Sequence, residues 1–293
     1  MSHVTTESSA TVALLGLPFD TNSSYLRGTA LAPSVIRRAL RCDSSNMWSE
    51  NETNVGNEDV FADTGDLAIE PLPVDEAFPA ITEHVATLVE QGLRPLVLGG
   101  DHSLTFPVVR GFARNIPDLN ILHFDAHPDL YEEFEGNRFS HACPFARIME
   151  ERLAKRLVQV GIRTMNAHQR AQAERFGVEV IEMRALREDT ALTFDGPLYI
   201  TFDMDALDPA FAPGVSHHEP GGLTTRQALT LIQNVQAPQI AGADIVEYNP
   251  LRDTHQSESA RLATTNLPLP DPIGITAMAA AKILKELAAK MLA

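Results

Sequence analysis

Short, uninterrupted apolar runs recur along the chain and alternate with segments of helical periodicity. A strand that meets water on one face alternates apolar and polar residues, whereas a continuous apolar run is typical of a strand buried on both faces. Buried strands that alternate with helices predict an α/β fold, with a mostly parallel sheet between two layers of helices. The runs lie at residues 11–15, 95–98, 120–124, 157–160, 178–181, 198–202 and 240–243.

Helices are predicted between these runs. Residues 74–91 place apolar side chains at helical spacing, and the alanine-rich residues 275–292 predict a terminal helix. Segments 43–58 and 254–272 are polar or rich in proline and are expected to be irregular. Because the strand–helix pattern resumes beyond segment 43–58 and a helix follows segment 254–272, residues 1–293 are expected to form a single domain. The remaining helix candidates are residues 103–113, 144–154, 166–176 and 224–235.

The composition limits the partners and the compartment. A formal charge of −16 argues against nucleic acid and anionic membrane surfaces, because both attract basic proteins. No run approaches the roughly 18 apolar residues of a membrane span. The first ten residues are polar and contain no apolar leader, and the two cysteines, Cys42 and Cys143, are typical of reduced thiols. These features predict a cytoplasmic protein.

Acidic and histidine side chains follow the ends of four predicted strands. Open parallel sheets bind ligands at the carboxyl ends of their strands. Alternate side chains of an extended segment point to the same side, so Asp125, His127 and Asp129 are expected to face one point. The same spacing joins Asp203 to Asp205, and so many carboxylates would repel one another unless a cation lay between them. The candidate metal ligands are His102, Asp125, His127, Asp129, Asp203 and Asp205.

This ligand set predicts two metal ions. Four carboxylates and two imidazoles exceed the four donors that a zinc ion usually takes, but they suit two ions joined by bridging carboxylates. Oxygen and nitrogen ligands without thiolate favour Mn²⁺, with Fe²⁺, Co²⁺, Ni²⁺ and Zn²⁺ as competitors. The expected chemistry is metal-assisted hydrolysis. His123 has the opposite strand parity and is expected to be a core or supporting histidine rather than a ligand.

Each of these motifs has a simpler interpretation when it is taken alone. An Asp-x-Asp sequence commonly caps a turn, and Gly-Asp-His can begin a helix. A single motif is therefore weak evidence for a metal site. Their occurrence together, on successive strand ends, favours the metal site over these local explanations.

Three longer motifs, in this order and spacing, form a very specific pattern that resembles the ureohydrolase family. They are Gly-Gly-Asp-His-Ser at 99–103, Asp-Ala-His-Pro-Asp at 125–129 and Phe-Asp-Met-Asp-Ala-Leu-Asp-Pro at 202–209. The family includes arginases, agmatinases, guanidinobutyrases and formimidoylglutamases. The resemblance spans nearly the whole chain, and residues 131–137 and 243–250 look most like the plant-type arginases.

The resemblance implies an arginase-like fold, in which three layers, α/β/α, surround an eight-stranded parallel sheet. It also implies two Mn²⁺ ions per subunit and, by analogy, a homo-oligomer that is a trimer or a hexamer. Asp125 and Asp203 would bridge the two ions. One ion would be bound by His102, Asp125, Asp129 and Asp203, and the other by Asp125, His127, Asp203 and Asp205.

The same resemblance implies catalytic roles for two further residues. His141 matches the proton-shuttling histidine of the family, and Glu247 matches the carboxylate that binds the guanidinium. A planar guanidinium pairs with a carboxylate through two hydrogen bonds, and an imidazole has a pKa suited to protonating a departing amine. Asn137, Ser140 and His217 lie on loops that are expected to contact the far end of the substrate.

The expected function is manganese-dependent hydrolysis of L-arginine to L-ornithine and urea, with a small cationic guanidino compound as the partner. The alternative is an agmatinase, which forms putrescine and urea, or a hydrolase of another guanidino acid. Glu132, Glu133 and Glu135 would favour a substrate that ends in an ammonium group. A non-catalytic ureohydrolase-like subunit would be expected to lack ligands, and a metal-dependent deacylase would hold a single metal.

Overall fold

The computed structural model describes residues 12–187, 189–253 and 273–293. Within these ranges, eight strands form one parallel sheet in the order β2-β1-β3-β8-β7-β4-β5-β6. This arrangement confirms the expected α/β class and the eight-stranded parallel sheet. The strands are β1 Val12–Gly16, β2 Phe61–Asp66, β3 Arg94–Leu98, β4 Asn120–Phe124, β5 Arg156–Ile162, β6 Glu179–Glu182, β7 Leu198–Asp203 and β8 Ile240–Val246.

Helices cover both faces of the sheet and complete the three layers. Successive side chains of a strand point to opposite faces, so Leu96 and Leu98 of β3 enter one hydrophobic core and Val97 enters the other. One core is closed by α1, α6 and α7, and the other by α2, α3, α4 and α5. The helices are α1 Ala32–Leu40, α2 Val74–Glu90, α3 Thr105–Ala113, α4 Pro144–Glu150, α5 Ala167–Phe176, α6 Thr225–Asn234 and α7 Ile275–Leu292.

Two elements, β2 and α1, were not predicted from the sequence. β2 lies at the edge of the sheet, where only its first residue, Phe61, is buried, so it carries no apolar run. In α1, Ile36, Ala39 and Leu40 are buried against the core, but the helix is short and begins with a proline in its first turn. Both elements owe their stability to packing on β1 and α7, which lie far away in sequence.

The remaining predicted boundaries differ by small amounts. The helix predicted at 144–154 ends at Glu150, and Arg152 just beyond it has a φ of 56°, a left-handed conformation that ends a helix. As predicted, segment 43–58 is irregular: it contains no α-helix and no strand of the sheet. The predicted irregular segment 254–272 lies outside the described residues. No helix in the described ranges is long and apolar enough to span a membrane.

Candidate metal centre

The candidate metal ligands gather at the carboxyl ends of β3, β7 and β4, and Glu247 follows β8, which lies between β3 and β7 in the sheet. His102 lies in the turn after β3, and this turn begins at Gly100. A Cβ atom at Gly100 would lie 1.8 Å from the carbonyl oxygen of Phe19, so only glycine lets the two loops approach this closely. The side chain of Asp101 accepts a hydrogen bond from the backbone N–H of Ser103 and caps the turn that carries His102.

One buried cluster surrounds the imidazole of His102. Its Nδ1 atom lies 3.2 Å from Asp125 Oδ2, 3.1 Å from Asp129 Oδ2 and 3.1 Å from Asp203 Oδ2. This nitrogen is buried and has no hydrogen-bond partner among the described residues, while Nε2 lies 3.1 Å from Thr201 Oγ1. A metal-ligating histidine has this pattern, because one nitrogen is held by the protein and the other is left for the metal.

A second cluster adjoins the first and shares Asp125 with it. His127 Nδ1 lies 3.1 Å from Asp205 Oδ2 and 3.4 Å from Asp125 Oδ1. The candidate ligand atoms of each cluster lie within 4.8 Å of one another. Asp203 groups with His102 in the first cluster, and its expected contact with a second metal stays a prediction.

The two clusters contain more buried negative charge than the surrounding residues neutralise. Burial, followed by repulsion from Asp205 and Asp125, raises the pKa of Asp203 well above its usual value. Burial also raises the pKa of Asp205 to about 6. Burial opposes the charge of Asp125 as well, but neighbouring histidines, His123 first, hold its pKa well below the usual value. Divalent cations are the groups that would stabilise all these carboxylates in their charged form.

His123 supports a candidate ligand, in agreement with its expected role. Its Nε2 atom lies 2.8 Å from Asp125 Oδ2, and its Nδ1 atom lies 3.0 Å from Gln159 Nε2. The ring is completely buried, and burial lowers its pKa. Such a partner fixes the orientation of the carboxylate that the two clusters share.

Two functional carboxylates have strained backbones. Glu247 has a φ of 62° and Asp129 has a φ of 48°, a left-handed region that non-glycine residues seldom adopt. Strain of this kind concentrates at functional sites, where surrounding contacts hold the residue in place. At Glu247 the backbone N–H donates to Gly100 O at 2.9 Å, and Oε1 accepts from the backbone N–H of His102 at 2.9 Å.

Glu247 and His141 form a buried pair beside the clusters. His141 Nδ1 lies 2.8 Å from Glu247 Oε1. Burial disfavours the charged imidazole, but the Glu247 carboxylate outweighs it and raises the pKa of His141 to about 9. Burial likewise opposes the charge of Glu247, and the same pairing holds the pKa of Glu247 below its usual value. Oε2 of Glu247 forms no hydrogen bond with any residue in the described ranges and is left for a ligand.

A cavity of about 190 Å³ opens above these groups. Glu247, His141 and His217 reach its wall, and their contact with a substrate stays a prediction. Asn137 and Ser140 do not belong to that wall. Asn137 donates from its amide to Asn22 Oδ1 at 3.3 Å, and Ser140 is buried. Substrate contact by Asn137 and Ser140 therefore stays a prediction without support from the cavity.

Four polar residues of the wall were missed in the sequence: Ser24, Tyr131, Thr164 and Gln169. Ser24 lies between β1 and α1, and Thr164 and Gln169 follow β5. Both connections leave the carboxyl ends of strands, so the rule that located the acids also applies to them. Ser24 and Thr164 lie in loops and Gln169 lies in the first turn of α5. Serine, threonine and glutamine are too common at such positions to attract attention without that rule.

The sequence comparison classifies this site. The model of the Arginase family matches residues 10–289, nearly the whole chain. The chain belongs to the arginase family. This membership confirms the predicted enzyme class, a ureohydrolase with a binuclear metal centre that acts on guanidino compounds.

Relatives within the arginase family agree with this classification. The mitochondrial arginase of Medicago truncatula is 47% identical over 96% of this chain and 82% of that protein. The solved structure of arginase from Medicago truncatula superimposes with a TM-score of 0.86 over 97% of this chain and 88% of that one. A hypothetical agmatinase from Burkholderia thailandensis is more distant, at 29% identity and a TM-score of 0.79, over 97% of this chain and 87% of that one.

The predicted cytoplasmic location is wrong. Arginase 2 of Arabidopsis thaliana is 45% identical over 96% of this chain and 81% of that protein, and it is named chloroplastic/mitochondrial. The Medicago truncatula relative is named mitochondrial. The prediction relied on the lack of an apolar run in the first ten residues, but segments that direct import into organelles are amphipathic rather than apolar, so this feature does not indicate the compartment. Reduced cysteines do not distinguish these compartments either.

Proposed function

We propose that this protein hydrolyses L-arginine to L-ornithine and urea with two Mn²⁺ ions. The observation that carries the proposal is the pair of buried ligand clusters that share Asp125, placed beside the Glu247–His141 pair at one cavity. The 47% identity to a plant arginase over 96% of the chain supports arginine over agmatine as the substrate.

The residues present suit a pair of divalent cations. His102 Nδ1 is buried without a hydrogen-bond partner and faces three carboxylate oxygens, and a mixed oxygen and nitrogen ligand set without thiolate favours Mn²⁺. Two such cations would lower the pKa of water and so supply hydroxide near neutral pH. The proposed ligands are His102, Asp125, His127, Asp129, Asp203 and Asp205.

Glu247 would bind and orient the guanidinium. Its Oε1 atom is held by two donors, so the carboxylate keeps one orientation while Oε2 remains available to the planar cation. A fixed guanidinium presents its central carbon to the attacking oxygen in one geometry, which lowers the entropic part of the barrier.

His141 would protonate the leaving amine. The charged imidazole is stabilised by Glu247, so it holds a proton at neutral pH and can release it to the amine nitrogen of ornithine as the carbon–nitrogen bond breaks. An amine that leaves as a neutral molecule is a far better leaving group than an amide anion. This placement supports the roles proposed for His141 and Glu247.

Polar, uncharged side chains would meet the amino-acid end of the substrate. Thr164, Gln169 and Tyr131 line the cavity and provide hydroxyl and amide groups that both donate and accept hydrogen bonds. Together with His217, they suit a substrate end that carries both a carboxylate and an ammonium. Asn137 and Ser140 lie outside the cavity wall and would fix the loop that carries His141.

The decisive assay measures urea release with Mn²⁺ from four substrates: arginine, agmatine, 4-guanidinobutyrate and 3-guanidinopropionate. We expect kcat/KM for arginine to exceed that for agmatine by at least about 100-fold, because a site built for polar groups rejects substrates that leave those groups unpaired. A preference for agmatine would contradict arginine as the substrate. If none of the four compounds released urea, the proposed hydrolysis to urea would be contradicted. Metal analysis of the purified protein is expected to give two Mn²⁺ per subunit.

The proposal extends to the organisation of the chain. Residues 1–293 form a single ureohydrolase domain, and the subunits form a trimer or hexamer, as the resemblance to ureohydrolases implies. Light scattering of the purified protein gives the mass in solution, and a monomeric mass would contradict the oligomer without affecting the proposed reaction.

A further inference from the structure

The loop between β1 and α1 holds the candidate proton donor, although no recognised motif marks this loop. The backbone N–H of His141 donates to Asn22 O at 3.2 Å. On the side chain, His141 Nε2 lies 2.8 Å from Ser24 Oγ. One short loop therefore fixes both the main chain and the imidazole of His141.

This loop is itself tied to the turn that carries the candidate metal ligand His102. The backbone N–H of Asn22 donates to Asp101 Oδ2 at 2.9 Å, and its side-chain amide donates to Ser103 Oγ at 3.0 Å. Asn22 is only 4% exposed, so these hydrogen bonds compete little with water. The position of Ser24 is thus determined by the same turn that places His102.

The imidazole of His141 needs a partner at each nitrogen to keep one orientation. Glu247 holds Nδ1, but a ring with a single hydrogen bond can still tilt about that contact. A serine hydroxyl both donates and accepts, so Ser24 can hold Nε2 in the protonated and in the neutral imidazole alike. Because Ser24 and His141 both reach the cavity wall, this contact lies where the substrate would enter.

We propose that Ser24 is a positioning residue that holds His141 by its Nε2 atom, so that the imidazole is aimed at the leaving amine. The inference rests on the proposed function and deepens it. In the proton transfer, the Nε2–H bond of the imidazolium breaks and an N–H bond forms on the departing amine. His141 is left neutral, with its Nδ1–H still on Glu247, and its Nε2 atom then accepts a hydrogen bond from the Ser24 hydroxyl. Ser24 exchanges no atom and acts through His141.

The test compares three variants in the manganese-loaded protein. In Ser24→Ala, kcat for arginine should fall about tenfold, as expected for the loss of one hydrogen bond to a charged group. KM should change less than about twofold, because the contact orients a catalytic group rather than the substrate. Ser24→Thr keeps the hydroxyl and should restore most of kcat. Ser23→Ala is the matched control, since Ser23 Oγ is buried and has no hydrogen-bond partner within the part of the chain that the structure describes.

A readout without turnover separates this inference from the proposed function. In metal-free protein with ¹⁵N-labelled histidine, the Nε2 resonance of His141 should shift in Ser24→Ala and stay in place in Ser23→Ala. A His141→Asn variant assigns the resonance. An unchanged resonance, or a Ser24→Ala variant that alters KM alone, would overturn the positioning role. If the wild-type protein released no urea, the resonance would still decide whether Ser24 holds His141.

Discussion

Two charged clusters in this molecule differ in how their charges are balanced. The first is the metal centre. The second, here called the loop clamp, consists of Glu50, Arg226, Gln233, Lys282 and Glu286 and fastens the irregular segment 43–58 to α6 and α7. In the loop clamp, Arg226 donates twice to Glu50, at 2.6 and 2.8 Å, and Lys282 donates to Glu286 at 2.5 Å.

The loop clamp balances its charges within the protein, whereas the metal centre does not. Glu286 also accepts from the amide of Gln233 at 3.0 Å and from the backbone N–H of Glu50 at 2.9 Å. The metal centre instead gathers four carboxylates around imidazoles and leaves His102 Nδ1 without a hydrogen bond. A cluster that contains its own counter-charges needs no additional ion, whereas a buried cluster without them is prepared for a cation.

The largest expected effect is the loss of activity when the shared metal ligand is changed. Asp125→Asn should lower urea release by more than about 100-fold, because even the partners of metal ligands contribute about 10- to 100-fold. The matched control is Glu286→Gln, the same chemical change in the loop clamp, which should retain both metals and near-normal activity. An Asp125→Asn protein with two bound metals and full activity would show that the centre is assigned wrongly.

The free energy of unfolding should respond in the opposite order to activity, with the larger loss in the loop clamp variant Glu286→Gln. Glu286→Gln should lower the free energy of unfolding by about 2 kcal/mol near neutral pH, since it removes hydrogen bonds to a buried charged group. Burial opposes the charge of Glu286, but Lys282 and Gln233 outweigh it and lower its pKa from 4.5. A lowered pKa contributes stability above the unfolded value and loses it as the pH falls through the folded value.

Urea-induced unfolding of wild type and Glu286→Gln, at neutral pH and at increasingly acidic pH, measures this effect. The difference between the two proteins should narrow as the pH falls below about 4.5, where the carboxylate begins to take up a proton in the unfolded chain. A difference that stays constant with pH would mean that packing, and not the charge of Glu286, stabilises the clamp.

The smallest expected effect is a gain in the free energy of unfolding rather than a loss. Asp203→Asn should stabilise the metal-free protein by about 1 kcal/mol near neutral pH, because burial and two neighbouring carboxylates raise the pKa of Asp203 and make its charge costly. The same variant should bind less Mn²⁺. Thermal unfolding in the presence of a chelator measures the stability, and a lower Tm than the wild type would contradict the excess of negative charge.

Much of the fold was predictable because burial leaves a clear trace in sequence. The strands β3, β4, β7 and β8 carry continuous apolar runs; the first three end at the candidate metal ligands and β8 ends at Glu247. Strand β2 was not predictable, because an edge strand needs few apolar residues. Helix α1 was missed because its few buried residues, Ile36 among them, become meaningful only when the opposing core surface is known.

The sequence by itself determined the parallel sheet and the six candidate ligands, since these depend on local spacing after buried strands, and the resemblance to the ureohydrolases added His141, Glu247 and the bridging role of Asp125. Only the tertiary structure decided that His141 pairs with Glu247, that Ser24 meets His141 and that Asn137 lies outside the cavity wall. Ser24 and His141 are 117 residues apart, and nothing in the local chemistry of a serine records which imidazole it will contact. Local spacing encodes which residues share a face, whereas the packing of distant loops decides which faces meet.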